Sequence, residues 1–370
     1  MSLGPVVFPI HPSQFADGER LVARSAGLAA TAFRYRSGVA GLRIENGAGT
    51  ITVLPFQGQQ VWDAVFLGRS LAMRSMFDEP QPTRDYLRTY GALFLHCGGT
   101  SMGNPGPADT HPLHGELPNL PYASAMLVFG EDSAGAYVEL AGEGYDAEAF
   151  HHSFVVRPRL RIREASTSLE ISVEVENRAG KPMPFLYLAH INFRPVDGGL
   201  LLDCVRDDRR DAAIRIFEPG PDESEAVRAY HAAVAAEPSS HRRLIAGQPV
   251  EPELVLTMRV ASGADGWTHA LHRHPDGTGD FVSYQPAALP YAIRWLTRSA
   301  DQDALGLVLP ATAPPDGLAA ATANRQLVWI EPGGSFRTTM RFGALDAPTA
   351  NDLEATIASI KDRRSGRQPT

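Results

Sequence analysis

Three stretches of this 370-residue chain carry side chains that could do chemistry together. The first is Cys97-Gly98-Gly99-Thr100-Ser101-Met102-Gly103-Asn104-Pro105, continued by His111-Pro112-Leu113-His114-Gly115-Glu116. It reads as a long ordered loop, and such loops in compact domains tend to be functional. Its glycines could cradle a phosphate, but the Gly-Lys-Ser/Thr ending that completes a phosphate loop is missing. His111, His114 and Glu116 could also ligate a metal, although His-x-x-His-x-Glu is not a recognised metal-site spacing. The expectation is a protein that holds no metal and no cofactor.

The second stretch is Phe185-Leu186-Tyr187-Leu188-Ala189-His190-Ile191-Asn192-Phe193-Arg194. Strand alternation puts Leu186, Leu188, His190, Asn192 and Arg194 on one face. That face turns from apolar to polar and offers an acid/base group, an amide and a cation. A strand whose end is solvated would look the same. The third stretch holds Tyr284 and, after Leu289-Pro290, Trp295. Aromatic rings on a sheet pack in cores, and they also stack on the apolar faces of sugars.

The elements that position these residues read as strands. Leu169, Ile171, Val173 and Val175 alternate with Glu170, Ser172, Glu174 and Glu176. The preceding Arg157, Arg159, Arg161 and Arg163 row suits an antiparallel partner. Further strands are expected at 41–45, 49–55, 124–129, 136–141, 254–260, 291–297 and 304–309. Asn46-Gly47 signals a hairpin, and Glu331-Pro332-Gly333-Gly334 another, between strands 326–330 and 335–343. Helices are few: 224–236, begun at Pro221-Asp222, and a short C-terminal one carrying Leu353, Ile357 and Ile360. The tail 364–370 is polar and expected to be disordered. With 34 glycines, 29 prolines and no internal repeat, the chain reads as one all-β domain, a large antiparallel sandwich over residues 1–370.

Composition narrows the partners. Lys and Arg total 34 against 42 acidic residues, for a formal net charge of -8. No basic stripe suggests nucleic acid or an anionic membrane, and no run is long enough to span a bilayer. Cys97 and Cys204 are expected to be buried free thiols. The start Met1-Ser2-Leu3-Gly4 lacks a leader pattern, so a cytoplasmic protein is expected.

Taken in order, these segments resemble the aldose 1-epimerase, or galactose mutarotase-like, superfamily, and within it a bacterial branch of uncharacterised mutarotase-like proteins. Leu113-His114-Gly115 matches its Leu-His-Gly loop. Ala189-His190-Ile191-Asn192-Phe193 is similar to its strand histidine motif, Leu289-Pro290…Trp295 to a Leu-Pro…Trp pairing, and Pro332-Gly333-Gly334 to a terminal turn. The resemblance covers about residues 50–345. It implies a large antiparallel β-sandwich with a sugar cleft on a concave sheet face. The implied activity is acid/base opening of an aldose ring at the anomeric centre. A carboxylate would take the anomeric proton, His190 would protonate the ring oxygen, and His114 would position it. His111, Asn192, Arg194, Tyr284 and Trp295 would bind the small-molecule carbohydrate.

One departure matters. Leu309 stands where the family's base glutamate would be, and leucine accepts no proton. Glu116 is nominated in its place, with Glu331 next. Three readings stay open: a mutarotase-like isomerase, a sugar-binding or sensing protein without the base, and a metal- or cofactor-dependent sugar enzyme built on His111, His114 and Glu116.

Overall fold

The computed structural model describes residues 4–205, 214–218 and 224–362. The expected helix start at Pro221-Asp222 and the 364–370 tail lie outside the described residues. Two antiparallel sheets dominate. The nine-stranded sheet runs Val6–Ile10, Tyr122–Asp132, Gly135–Glu148, His152–Arg163, Ser168–Asn177, Ser335–Leu345, Gly279–Tyr284, Thr268–Arg273, Leu200–Asp203. The thirteen-stranded sheet has the main order Ile214–Ile216, Val250–Met258, Tyr291–Arg298, Asp303–Ala311, Met183–Ile191, Phe94–Gly99, Gln60–Phe66, Gly49–Leu54, Ala40–Glu45, Leu28–Arg34, Arg20–Ser25.

The sheets meet through an apolar core. Phe94 stacks on Phe342 at 5.5 Å between ring centroids, and Phe185 packs on Phe336 at 5.0 Å. Each pair joins one sheet to the other. The charged rows expected on the arginine-rich hairpin face outward: Arg157 stands opposite Glu174, and Arg161 opposite Glu170. Their apolar neighbours Leu160, Ile162, Ile171 and Val173 are buried. The Asn46-Gly47 hairpin forms as its sequence demands, with Glu45 opposite Thr50 and Gly47 at a φ of 84°. Helix Glu225–Ala236 is capped by Ser224, whose Oγ accepts from the Val227 N–H. The C-terminal helix Ala347–Asp362 buries Ala350, Ile357 and Ile360. Cys97 and Cys204 are free and buried.

The Glu331–Gly334 hairpin needs correction. The turn closes, with the Gly334 N–H on the Glu331 carbonyl at 2.8 Å. Its arms then part: Val328–Ile330 pairs with Met183–Phe185, while Ser335–Leu345 lies between Ser168–Asn177 and Gly279–Tyr284. The turn therefore carries the chain from one sheet to the other. Asn177 fixes the crossing, because its buried amide donates to the carbonyls of Lys181 and Ile330, both at 2.8 Å. Turn chemistry sets the local reversal, whereas tertiary pairing decides which strands the two arms join.

Candidate functional site

A cavity of about 540 Å³ opens on the thirteen-stranded sheet. Four adjacent strands build its floor through their period-two faces. Leu188 and His190 come from Met183–Ile191, Leu309 from Asp303–Ala311, Ile293, Trp295 and Thr297 from Tyr291–Arg298, and Glu251, Glu253 and Val255 from Val250–Met258. Two irregular segments form the rim, one bringing Met76, Phe77, Tyr86 and Tyr90, the other Asn104, Leu113 and His114.

His190 is 4% exposed, and its Nδ1 lies 2.6 Å from Asn192 Oδ1. The amide orientation of Asn192 is set by its second bond, Nδ2 donating to the Ala92 carbonyl at 3.0 Å. Oδ1 can only accept, so His190 Nδ1 carries the hydrogen. In the neutral ring Nε2 then bears the lone pair, 3.4 Å from the Tyr90 hydroxyl. Burial holds the imidazole neutral, lowering its pKa to about 4 against the opposing pull of Asn192.

His114 reaches the cavity from a strained turn. Its φ is 60° and that of Gly115 is 78°. A Cβ on Gly115 would meet the Ser101 carbonyl oxygen at 2.3 Å, so only glycine fits behind this histidine. The His114 N–H bonds the Gly103 carbonyl at 3.1 Å, and its own carbonyl accepts from Gly98 N–H at 2.7 Å. The ring packs on Tyr86 at 4.8 Å and on His190 at 5.5 Å between centroids. Burial, then the neighbouring His190 and His111, lower its pKa to about 3. Its Nδ1 is buried with no hydrogen-bond partner. A buried lone pair is tolerated there better than a buried N–H, which favours the tautomer with Nε2–H. Burial also pushes the Tyr86 and Tyr90 phenols well above their ordinary range, so both remain protonated.

Leu309 lines the cavity wall, opposite Ile293 on the next strand. The carboxylates that face the cavity are Glu251, Glu253 and Asp301, and no Lys or Arg lines it among the described residues. Glu253 is fixed by Trp295, whose Nε1–H donates to Oε2 at 2.5 Å. Trp295 in turn meets His190 edge to face at 5.3 Å. One aromatic side chain thus touches both a cavity carboxylate and a cavity imidazole.

The remaining candidate residues are placed as follows. Glu116 is turned away from the cavity, accepting from Thr100 N–H at 2.8 Å and Thr100 Oγ1 at 2.6 Å. Glu331 is exposed in its turn. His111 donates Nδ1–H to the Pro112 carbonyl at 2.8 Å and accepts the Leu318 N–H on Nε2 at 3.3 Å, outside the lining. Arg194 pairs with Asp303 at 3.5 Å. Tyr284 is buried in the nine-stranded sheet. Asn192 lies behind His190 and does not line the cavity. Among the described residues, the ligand atoms of His111, His114 and Glu116 do not converge as a metal site, whereas those of His272, His274 and Asp280 do.

Sequence reasoning did not single out Tyr86, Tyr90, Glu251 or Glu253. The Glu251 and Glu253 spacing carried a signal, since Glu251, Glu253 and Val255 alternate along one strand face. The expected strand began at Leu254, which left both glutamates in a loop.

Comparison with solved structures agrees with this architecture. A Klebsiella pneumoniae protein provisionally named an aldose 1-epimerase superposes with a TM-score of 0.83, covering 97% of this chain and 96% of its own at 16% identity. The fold is galactose mutarotase-like. A galactose mutarotase-like protein from Clostridium acetobutylicum matches with a TM-score of 0.58 over 86% of this chain and 99% of its own, at 12% identity. A Synechocystis protein matches with a TM-score of 0.53 over 82% and 95%, at 16% identity. Residues 36–204 match a family described as Domain of unknown function (DUF4432). That match spans both cavity histidines, while Glu253, Trp295 and Leu309 lie beyond it. No curated protein matches the sequence.

Proposed function

We propose that the chain is a mutarotase-like isomerase that opens and recloses the ring of an aldose or sugar derivative in this cavity. The observation that carries the reading is the contact between the neutral imidazoles of His114 and His190, centroids 5.5 Å apart, beside a carboxylate held by Trp295. Aromatic faces from Trp295, Tyr86 and Tyr90 supply apolar surface for a sugar ring.

Ring opening moves one proton from the anomeric hydroxyl to the ring oxygen. The tautomer fixed by Asn192 gives His190 a lone pair at Nε2, so its first act is to accept that proton. The imidazolium so formed then delivers it to the ring oxygen as the bond from C1 to that oxygen breaks. This reverses the starting role that the resemblance implies for His190. His114 Nε2–H donates a hydrogen bond to the ring oxygen while remaining neutral, the use of a depressed-pKa imidazole as an electrophile. Glu253 supplies a carboxylate to the cavity without acting as the proton-accepting base absent at Leu309. It binds sugar hydroxyls and stabilises the transient imidazolium across Trp295.

The test is anomer exchange by NMR on a panel of aldoses, with wild type, His190→Ala, Glu253→Gln and Glu116→Gln. Loss of His190 should slow exchange about 10²–10⁴-fold, and Glu116→Gln should leave it near wild type. A second reading rests on Leu309: a protein that binds sugar without turnover. Wild type that binds a sugar and does not accelerate exchange would establish that reading instead.

A further inference from the structure

The geometry points to a buried divalent-metal site, best suited to zinc, formed by His272, His274 and Asp280 on the hairpin of strands Thr268–Arg273 and Gly279–Tyr284. None of the three lines the cavity. His272 stands directly opposite Asp280 in the strand register. His272 and Asp280 are fully buried and His274 is 5% exposed.

The hydrogen pattern calls for a cation between them. Thr278 Oγ1 donates to Asp276 Oδ1 at 2.7 Å, so the same oxygen accepts from His274 Nδ1–H at 3.0 Å. In the neutral ring the lone pair of His274 Nε2 then points at Asp280 Oδ2, 3.1 Å away. Two acceptors facing each other in a dry interior repel. His272 Nδ1 lies 3.4 Å from the same Oδ2, and neither of its ring nitrogens makes a hydrogen bond of normal geometry. The other Asp280 oxygen is held by Arg69.

The separations of 3.1 and 3.4 Å from Asp280 Oδ2 are close to those a metal sets, and the ligand atoms of all three residues lie within 4.8 Å of one another. Zinc bonds of about 2.0–2.2 Å place neighbouring corners of a tetrahedron about 3.3–3.5 Å apart. Two imidazoles and a carboxylate are a donor set that zinc favours, and a water can take the fourth corner. The outer contacts also suit a metal centre: His274 passes its N–H outward to a hydroxyl that is itself bonded to a carboxylate, which fixes the ring and its tautomer. A proton on His274 is the competing account, with the imidazolium paired to Asp280.

The test is metal content by mass spectrometry of full-length protein purified without chelator, then repeated after unfolding and refolding with zinc. About one equivalent per chain is expected, falling below about one tenth in His274→Gln, with a rise in melting temperature on zinc loading. Cobalt substitution should give the intense visible bands of a tetrahedral site. Wild type holding less than about one tenth of an equivalent both as purified and after refolding with zinc would overturn the site and leave the protonated pair. Because that reading uses wild type alone, a variant that fails to fold does not obscure it. Zinc retained by a folded His272→Gln/His274→Gln double variant would overturn the ligand assignment.

Discussion

Replacing Asn192 by leucine tests the tautomer on which the proposed chemistry depends. The change keeps the branched shape and number of side-chain heavy atoms, with bulkier methyl groups, in a fully buried position and removes three hydrogen bonds: those from His190 Nδ1 at 2.6 Å and the Tyr90 hydroxyl at 3.4 Å, and the one to the Ala92 carbonyl at 3.0 Å. The Ala92 carbonyl loses the Asn192 amide, a loss worth about 1–3 kcal/mol of stability. His190 has a way out: moving its hydrogen from Nδ1 to Nε2 relieves the orphaned N–H. The tautomer preference set by one hydrogen bond is about 1 kcal/mol, so its removal shifts the tautomer ratio several-fold or more. Nε2 then presents a donor to the cavity in place of a lone pair. Anomer exchange should slow about fivefold or more while sugar affinity stays within a few-fold of wild type. Nitrogen-15 NMR of the imidazole, which separates protonated from unprotonated ring nitrogens, should show the hydrogen moving to Nε2. Wild-type exchange rates in a variant whose spectrum shows the switched tautomer would refute the lone-pair argument for His190.

Four further outcomes follow from the structure. Trp295→Phe keeps the ring but removes the 2.5 Å bond to Glu253; a charge-assisted bond worth about 1.5–3 kcal/mol is lost, and calorimetry should show sugar binding weakened by about tenfold or more. His96, His114 and His190 are held by burial at about 3, 3 and 4, below their unfolded value near 6.5. Their contribution to stability is therefore full above pH 6.5 and is lost as pH falls from 6.5 toward 4, each ring adding a slope of up to about 1.4 kcal/mol per pH unit in urea titrations. By the same placement, the exchange rate should be flat from pH 6 to 8 and fall with an acid limb near 4, and a limb near 6.5 would contradict the buried, neutral His190. Arg294, 1% exposed, bonds Asp203 at 2.9 Å and His241 at 2.7 Å, and Asp203 is also held by Arg242 at 2.8 Å; Arg294→Met should therefore cost less in chemical denaturation than the about 3–5 kcal/mol of an orphaned buried charge, and adding Arg242→Met should bring the loss into that range.

The sequence by itself determined the fold class and much of the strand inventory. Alternation along Leu169–Asn177, the arginine row before it and the Asn46-Gly47 turn are local signals. Each is answered by the structure because side-chain period and turn chemistry act over a few residues. It also placed His190 on the strand face that lines the cavity, since period two requires it, whereas Asn192, expected on the same face, follows the strand's end at Ile191 and lies behind His190. The resemblance brought His114 beside them from a loop about 75 residues earlier in the chain, a pairing that no local rule supplies. Only the tertiary structure decided the rest. Val250–Met258 sits next to Tyr291–Arg298 in the thirteen-stranded sheet, and that adjacency puts Glu253 on Trp295 and into the cavity. Glu116 is as near to His114 in sequence as a residue two places away can be, yet Thr100 captures it and the cavity carboxylate comes from another strand. The arms of the Glu331–Gly334 turn separate for the same reason: a turn specifies a reversal, but the partner of each strand depends on which apolar faces the whole chain must bury together.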